Sequence, residues 1–356
     1  MGGCMNLMLR RRAMMSSGPK EQPNYLCFTA LESGTFTFTI GTYLNPNAGG
    51  RYNIEYSIDG GTSWVHTDNV ANQQIVVTTP TIQEGDTVLW RGNATTGNSD
   101  TKFSSTGKFN VSGILSSIYN KKKCSENDES KANYYATCLF KGCTGLVSAE
   151  DLVLTKLNSS HTGVYANTFE GCTGLTSAPQ KIEGSVFNSG VCNKMFYQCS
   201  SLVTPPSIVG TSLSGSNCFM QMFESCKSMT SIPSLSFDTL VSGCYWGMFP
   251  TTTSFTGSVY LPALVVPSSG YRNMFQNGKV TYVKMLATDI SASSCVQNML
   301  GGVPNVSTSI LVKNINATWT TAVAPSNWTI LYYDPATDKY YLSDKTTECD
   351  DHGNPI

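Results

Sequence analysis

The chain has 356 residues, and its 23 Lys and Arg against 24 Asp and Glu give a net charge of −1. A nearly neutral chain does not attract polyanions over long distances, so the composition excludes a protein whose main partner is nucleic acid. The sequence contains no run of 18 apolar residues, which excludes insertion into a membrane through a spanning helix.

Residues 1–23 form a Met-rich N-terminal peptide that carries three consecutive positive charges, Arg10, Arg11 and Arg12. These charges follow the few apolar residues, and no apolar core of about 7 to 15 residues comes after them, so the peptide lacks the pattern of a secretory signal. Two interpretations stay open. The peptide is either a disordered terminus or an assembly-docking segment whose three arginines contact a larger particle.

Residues 24–115 predict a β-sandwich domain with antiparallel strands. Six short segments alternate or run apolar and are separated by Gly, Pro, Asn and Asp, which is typical of small sandwiches. The segments begin at Tyr25, Gly34, Tyr52, Gln74, Thr87 and Gly107.

One hairpin of this domain carries a recognisable turn motif. Ser57 to Trp64 fits the Ser-x-Asp-x-Gly-x-Ser/Thr-Trp pattern of an Asp-box. In this pattern the carboxylate of Asp59 holds the backbone amides of the turn, and Trp64 packs beneath it. The motif occurs in sialidase-like propellers, where each blade carries a copy. Because this chain contains one copy, we interpret it as a turn device and not as a sign of glycosidase function.

Residues 116–133 place a basic cluster, Lys121 to Lys123, before an acidic one and contain few apolar residues. This composition predicts an exposed polar linker or an N-terminal cap for the segment that follows. A cap is needed because the first unit of a stacked array otherwise leaves an apolar face open.

Residues 134–330 repeat the motif Phe-x-x-Cys-x-x-Leu/Met, and the first four phenylalanines are spaced by 29, 27 and 27 residues. Self-similarity at such a period predicts a stacked repeat array, because one unit cannot bury its apolar face alone. An aromatic or apolar residue four positions before each Phe predicts that every unit opens with a short helix. The predicted structural repeat core consists of Phe140, Cys143, Leu146, Phe169, Cys172, Leu175, Phe196, Cys199, Leu202, Phe223, Cys226, Met229, Phe249 and Phe275.

The column of repeat cysteines permits two interpretations. Equivalent residues of stacked units lie about 4.7 to 4.9 Å apart in a narrow interior, where a small thiol fits and where a disulfide is also within reach. The odd total of 13 cysteines favours free thiols over bridges. No Cys-x-x-Cys occurs and the three histidines stand far apart, so neither a metal site nor a cofactor is predicted.

Residues 331–356 predict a C-terminal hairpin followed by a polar tail. A strand ending at Tyr333, a turn around Pro335 and a strand ending at Leu342 would close the edge of the array. The tail places Cys349 beside two aspartates and His352, but without a second set of ligands we predict no metal there. The predicted fold is therefore mainly β with short helices: a sandwich, a repeat array and a capping hairpin.

The repeats, with Met-Phe-x-x-Cys-x-x-Leu-x-x-x-Pro at a spacing of about 26 residues, resemble the BspA-like leucine-rich repeat surface proteins of gut Bacteroidetes and of their phages. The resemblance covers residues 134–330 and implies a leucine-rich-repeat-like solenoid with an exposed recognition surface. Bacterial members are linked to adhesion, whereas phage members are similar to virion fibres or host-attachment proteins. The resemblance implies no reaction.

We expect a non-enzymatic structural and recognition protein, because no nucleophile motif, phosphate loop or metalloprotease motif occurs. The expected partners are a host-surface protein or glycan, other virion proteins bound through the N-terminus, and further copies in a homo-oligomer such as a trimer. Since the N-terminus lacks a secretory pattern, we favour a phage virion protein, made in the host cytoplasm and carried on the virion surface. The alternatives are a bacterial cell-surface adhesin and, less favoured, a glycan-active enzyme.

Overall fold

The computed structural model describes residues 25–40, 54–66, 75–92, 101–119, 128–130 and 132–356. Within these residues the protein is mainly β, with twenty strands and a single 3-10 helix, Leu115–Ile118. The predicted docking residues Arg10, Arg11 and Arg12 lie outside the described residues.

Eight strands form two sheets in the N-terminal part of the protein. They are β1 (Leu26–Ala30), β2 (Phe36–Ile40), β3 (Ile54–Ser57), β4 (Val65–His66), β5 (Ile75–Thr78), β6 (Thr87–Gly92), β7 (Lys102–Ser105) and β8 (Phe109–Ile114). One sheet has the order β8-β1-β6-β3-β4 and the other the order β5-β2-β7, with antiparallel neighbours in both. The ring of Phe28 in the first sheet lies 5.3 Å from Phe36 and 4.8 Å from Phe103 in the second, measured between centroids. Aromatic side chains of both sheets therefore share one core.

The first sheet continues directly into the repeats. β8 pairs on one edge with β1 and on the other, in parallel, with β9 (Leu146–Ser148) and β10 (Leu152–Val153). The 3-10 helix that follows β8 is fully buried, and the hydroxyl of Ser117 accepts a hydrogen bond from Leu26 N and donates one to Trp90 O. The linker predicted over 116–133 thus begins as packed structure and not as an exposed segment.

Seven units between Tyr134 and Val303 stack on one another, and we call this segment the repeat stack. In the turn segments of each of its six interfaces, five backbone N–H groups of one unit donate to carbonyls of the next unit at 2.7 to 3.1 Å. The donors are every second residue, for example Tyr165, Asn167 and Phe169. The intervening N–H groups, such as those of Thr168 and Glu170, close tight turns by donating to the carbonyl three residues earlier.

These turns replace the short helices that the four-residue spacing predicted, so that prediction was wrong. Every fourth residue of the turn segments has a left-handed backbone, with φ between 51° and 73°, at three positions in each unit. An α-helix requires right-handed residues throughout, and therefore cannot continue across such a position. The left-handed residues are Tyr134, Cys138, Gly142, Gly163, Asn167, Gly171, Gly190, Lys194, Gln198, Asn217, Gln221, Ser225, Gly243, Gly247, Thr251, Ser269, Asn273, Asn277, Ser294, Asn298 and Gly302.

Strands on the other side of the stack pair in parallel. β11 (Lys181–Glu183) pairs with β13 (Ser207–Val209), and β12 (Val186–Phe187) pairs with β14 (Ser212–Leu213). Further along, β15 (Ser258–Leu261), β16 (Tyr282–Met285), β17 (Ile310–Asn314) and β18 (Thr329–Asp334) form a parallel sheet. The chain then reverses: β18, β19 (Lys339–Tyr341) and β20 (Glu348–Cys349) pair antiparallel. The C-terminal hairpin thus starts at Thr329, and the tail predicted as polar contributes a strand.

Candidate binding groove

The six-stranded C-terminal sheet presents two different faces. On β15 and β16 the residues alternate, so that Val259, Leu261, Val283 and Met285 are buried in the main core while the residues between them face outward. Tyr260 and Lys284 are register partners on this outward face. Tyr282 lies on the same face, one row away, opposite Ser258.

The C-terminal tail folds over part of this outward face. Ile310 and Val312 point away from the main core, because Leu311 between them belongs to it, yet both are buried. They form a second small core with Leu331 and Cys349, against which Tyr282, Tyr333, Tyr340 and Leu342 pack. The tail covers β17, contacts the outward side chains of β16 and leaves those of β15 exposed, which creates a groove between β15 and the tail.

We call this depression the tyrosine groove, and it has a volume of about 490 Å³. Three tyrosines contribute rings, and a lysine, an aspartate and a histidine contribute polar groups. The lining residues are Ser258, Val259, Tyr260, Tyr282, Lys284, Tyr340, Asp351 and His352. Tyr260 is 52% exposed, so its side chain is within reach of a ligand.

Lys284 is fixed at the centre of the aromatic residues. Its Nζ lies 3.1 Å from the ring centroid of Tyr333 and 4.7 Å from that of Tyr340, and it donates a hydrogen bond to Tyr340 Oη at 2.9 Å. The ring of Tyr260 lies further away, at 5.9 Å. A lysine held by cation–π contacts and a hydrogen bond orders the rings around it, and these contacts already occupy part of its ammonium group.

Two phenols beside the groove, those of Tyr282 and Tyr333, remain protonated at neutral pH. Burial, together with Tyr340 and the carboxylate of Asp351, raises the pKa of Tyr282 above its usual range. Tyr333 donates a hydrogen bond to Asp338 Oδ1 at 2.8 Å, which raises the pKa of Tyr333 to about 12. Both phenols therefore keep their O–H groups, and that of Tyr333 is donated to Asp338.

The acidic turn beside the groove is held by its own side chains. Asp350, Asp351 and His352 are the one group of metal-ligating type among the described residues, with ligand atoms within 4.8 Å of one another. The carboxylate of Asp350 accepts hydrogen bonds from the backbone N–H groups of His352 and Asn354 at 2.9 and 2.8 Å and from Asn354 Nδ2 at 2.7 Å. Asp351 Oδ1 lies 2.6 Å from His352 Nδ1. These contacts give Asp350 the role of shaping the turn that carries Asp351 and His352.

The predicted repeat-core residues lie inside the repeat stack and take no part in the groove. Each is at most 2% exposed. The six phenylalanine rings form a continuous ladder with centroids 5.2 to 5.6 Å apart and interplanar angles of 1° to 7°. The ladder joins Phe103 of the N-terminal sheets at 5.5 Å from Phe140.

The repeat cysteines are buried free thiols, as are all the cysteines in the described ranges. Three of these thiols donate a hydrogen bond to the carbonyl of the repeat phenylalanine in the preceding unit, at 3.0 to 3.1 Å. Cys172 donates to Phe140 O, Cys199 to Phe169 O and Cys226 to Phe196 O. Burial raises the pKa of Cys143 to about 11 and that of Cys199 well above its ordinary value. A small apolar side chain with a weak donor suits this position, so the thiols serve packing.

The Asp-box residues shape a hairpin turn on the N-terminal sheets. The carboxylate of Asp59 accepts hydrogen bonds from the backbone N–H of Ser63 at 2.9 and 3.0 Å and from the hydroxyls of Ser57 and Ser63. These bonds hold the pKa of Asp59 well below its usual range. Trp64 Nε1 donates to Gly61 O at 3.1 Å, which ties the indole to the turn.

The groove residues Tyr260, Tyr282, Lys284 and Tyr340 were not predicted from the sequence. A signal was present in the alternation Ser-Val-Tyr-Leu at β15 and Tyr-Val-Lys-Met at β16, which places aromatic and charged side chains on one outward face of successive units. The contribution of the tail is not visible in that pattern.

Comparison with known proteins found no matching family model, no similar curated protein and no similar solved structure. In the part of the chain that the structure describes, no helix has the length and apolar character of a membrane span.

Proposed function

We propose that this protein is a non-enzymatic recognition protein that attaches a larger particle to a host surface. In this proposal the N-terminal sheets form a sandwich and the repeat stack is a leucine-rich-repeat-like solenoid. The parallel pairing of successive units and their period of about 26 residues support the solenoid. The tyrosine groove is the observation that carries the recognition role.

The division of labour among the aromatic side chains supports this role. The phenylalanines of the ladder are buried and hold the units together. The tyrosines of the groove lie outside that ladder, and Tyr260 is more than half exposed, although the buried residues on both sides of it show that its strand is well packed. Exposed aromatic rings combined with polar groups on a rigid scaffold are typical of binding sites.

We further propose a phage virion as the setting, with residues 1–23 contacting other virion proteins through Arg10, Arg11 and Arg12. A bacterial cell-surface adhesin is the competing proposal. Mass spectrometry of particles purified from a lysate of the carrying strain distinguishes the two. We expect the protein in washed particles, whereas its recovery from washed outer membranes and its absence from particles would favour the adhesin.

Recognition itself is tested by flow cytometry of the fluorescently labelled full chain on a panel of gut Bacteroidetes strains. We expect saturable binding to a subset of strains. If the folded protein shows saturable binding to none of the strains, the attachment role is contradicted.

A further inference from the structure

We propose that the tyrosine groove is a carbohydrate-binding site that takes an uncharged glycan, with a sugar ring stacked on Tyr260. This inference rests on the proposed recognition function and names its ligand class. Three features of the groove carry it: an open aromatic face, polar groups of both hydrogen-bonding types, and a charge balance that disfavours anions.

The aromatic face matches the shape of a sugar. One side of a pyranose ring presents C–H groups, which pack against the π-face of a tyrosine, while the hydroxyls around its edge stay available to polar partners. Tyr260 offers such a face, since it is 52% exposed and its strand fixes its position opposite Lys284. Tyr282 lies on the neighbouring strand on the same side of the sheet, so a second ring borders the site.

The polar groups of the groove match sugar hydroxyls, which both donate and accept hydrogen bonds. The hydroxyls of Ser258 and Tyr260 both donate and accept, whereas the carboxylate of Asp351 accepts. His352, whose side chain is 72% exposed, pairs with Asp351 through Nδ1, and its other ring nitrogen is a further hydrogen-bonding group. Asp351 and His352 lie on the tail, across the groove from Tyr260, so a ligand would be held between the tail and the Tyr260 ring.

The charges favour an uncharged ligand. Lys284 is the one lysine in the lining, and its ammonium group is already engaged by the ring of Tyr333 and the hydroxyl of Tyr340. Asp351 brings a negative charge to the opposite wall, where it would repel a carboxylate or sulfate of an acidic sugar. The lining includes Val259 as its one aliphatic residue, which gives little apolar surface to anchor a peptide side chain.

The test uses the folded full chain on an array of purified neutral and acidic oligosaccharides, followed by calorimetric titration of the best-bound compound. We expect binding to neutral oligosaccharides, and we expect Tyr260→Ala to weaken it at least tenfold because the stacking face is removed. Asp351→Asn should weaken binding several-fold. The matched control is Tyr134→Asn, which removes a tyrosine that is also 52% exposed but lies at the opposite end of the stack; asparagine tolerates the left-handed backbone there.

Three outcomes would overturn the carbohydrate site: binding restricted to acidic oligosaccharides, binding that Tyr260→Ala leaves within twofold, or an equal loss in Tyr134→Asn. Cell binding separates this inference from the proposed function. If labelled protein binds cells saturably and protease treatment of the cells abolishes binding while periodate oxidation of their glycans does not, the protein recognises a host protein and the carbohydrate site is wrong. If no cell binding saturates, the attachment function itself fails.

Discussion

Replacing Phe196 by alanine tests the packing that holds the repeat stack together. The Phe196 ring is fully buried and stacks on Phe169 at 5.2 Å and on Phe223 at 5.5 Å, with interplanar angles of 2° and 1°. Truncation of a buried phenylalanine to alanine costs about 3 to 5 kcal/mol of unfolding free energy, because apolar burial is lost and a cavity remains. We therefore expect Phe196→Ala to lose stability within this range.

Phe275 provides the matched comparison at the end of the ladder. It is 1% exposed but has one stacked ring among the described residues, Phe249 at 5.5 Å. Each stacked aromatic pair contributes about 0.5 to 1.5 kcal/mol beyond area burial. Phe196→Ala is therefore expected to lose about 1 kcal/mol more than Phe275→Ala.

Urea unfolding of both variants, followed by circular dichroism, measures this difference. Repeat arrays can unfold in parts, so the dependence of the unfolding free energy on urea should be compared along with the midpoints. A loss below about 1 kcal/mol in Phe196→Ala, or an equal loss in the two variants, would refute the reasoning that the stacked ladder stabilises the array.

Four further predictions address the backbone, the thiols and the turn. Asn298 is exposed and has a left-handed backbone, with φ of 51°. Asn298→Val should therefore lose about 1 to 2 kcal/mol of unfolding free energy in urea, whereas Asn298→Gly should change it little. Equal unfolding midpoints of the two variants would contradict this. Cys199 should resist maleimide at pH 8 in the folded protein, as read by peptide mass spectrometry, because burial raises its thiol pKa; labelling as fast as in urea would contradict its burial. Since the unfolded thiol loses its proton near its ordinary pKa of 9.0 and the folded thiol does not, stability should also fall as pH rises above that value. The pH dependence from Asp59 has the opposite sign, because its lowered pKa gives stability above the ordinary value of 3.8 that is lost at lower pH. Asp59→Asn should therefore flatten the acid side of a plot of unfolding midpoint against pH. An unchanged slope would show that the carboxylate does not hold the turn.

The sequence was most informative where side chains pack on copies of themselves. The spacing of Phe140, Phe169 and Phe196 gives the number of residues in each unit. A buried position that recurs in every unit needs an apolar side chain in every unit, so the pattern is visible in the sequence. The same regularity located the cysteine column, because the narrow interior restricts the size of the side chain.

The helix prediction failed because a four-residue spacing has two physical origins. In an α-helix it places side chains on one face, whereas here it is the repeat of left-handed residues in a chain of turns. Gly and Asn at these positions, such as Gly163, Asn167 and Gly171, carried that information, since both residue types adopt positive φ readily.

The groove could not be predicted as a whole because its walls are distant in sequence. Tyr260 and Lys284 belong to consecutive units, while Asp351 and His352 arrive from a tail that folds over β17. That folding depends on burying Ile310 and Val312, whose apolar outward positions had no predicted partner.

Hydrogen–deuterium exchange with and without the oligosaccharide that binds best on the array tests the central claim most directly. The repeat stack should already be protected without ligand, because at least five backbone hydrogen bonds join each pair of successive units. On addition of the ligand we predict slower exchange confined to 258–260, 282–284 and 340–352, the segments that line the tyrosine groove. Protection that appears on another face of the stack, or none at saturating ligand, would contradict a protein that recognises carbohydrate through this groove.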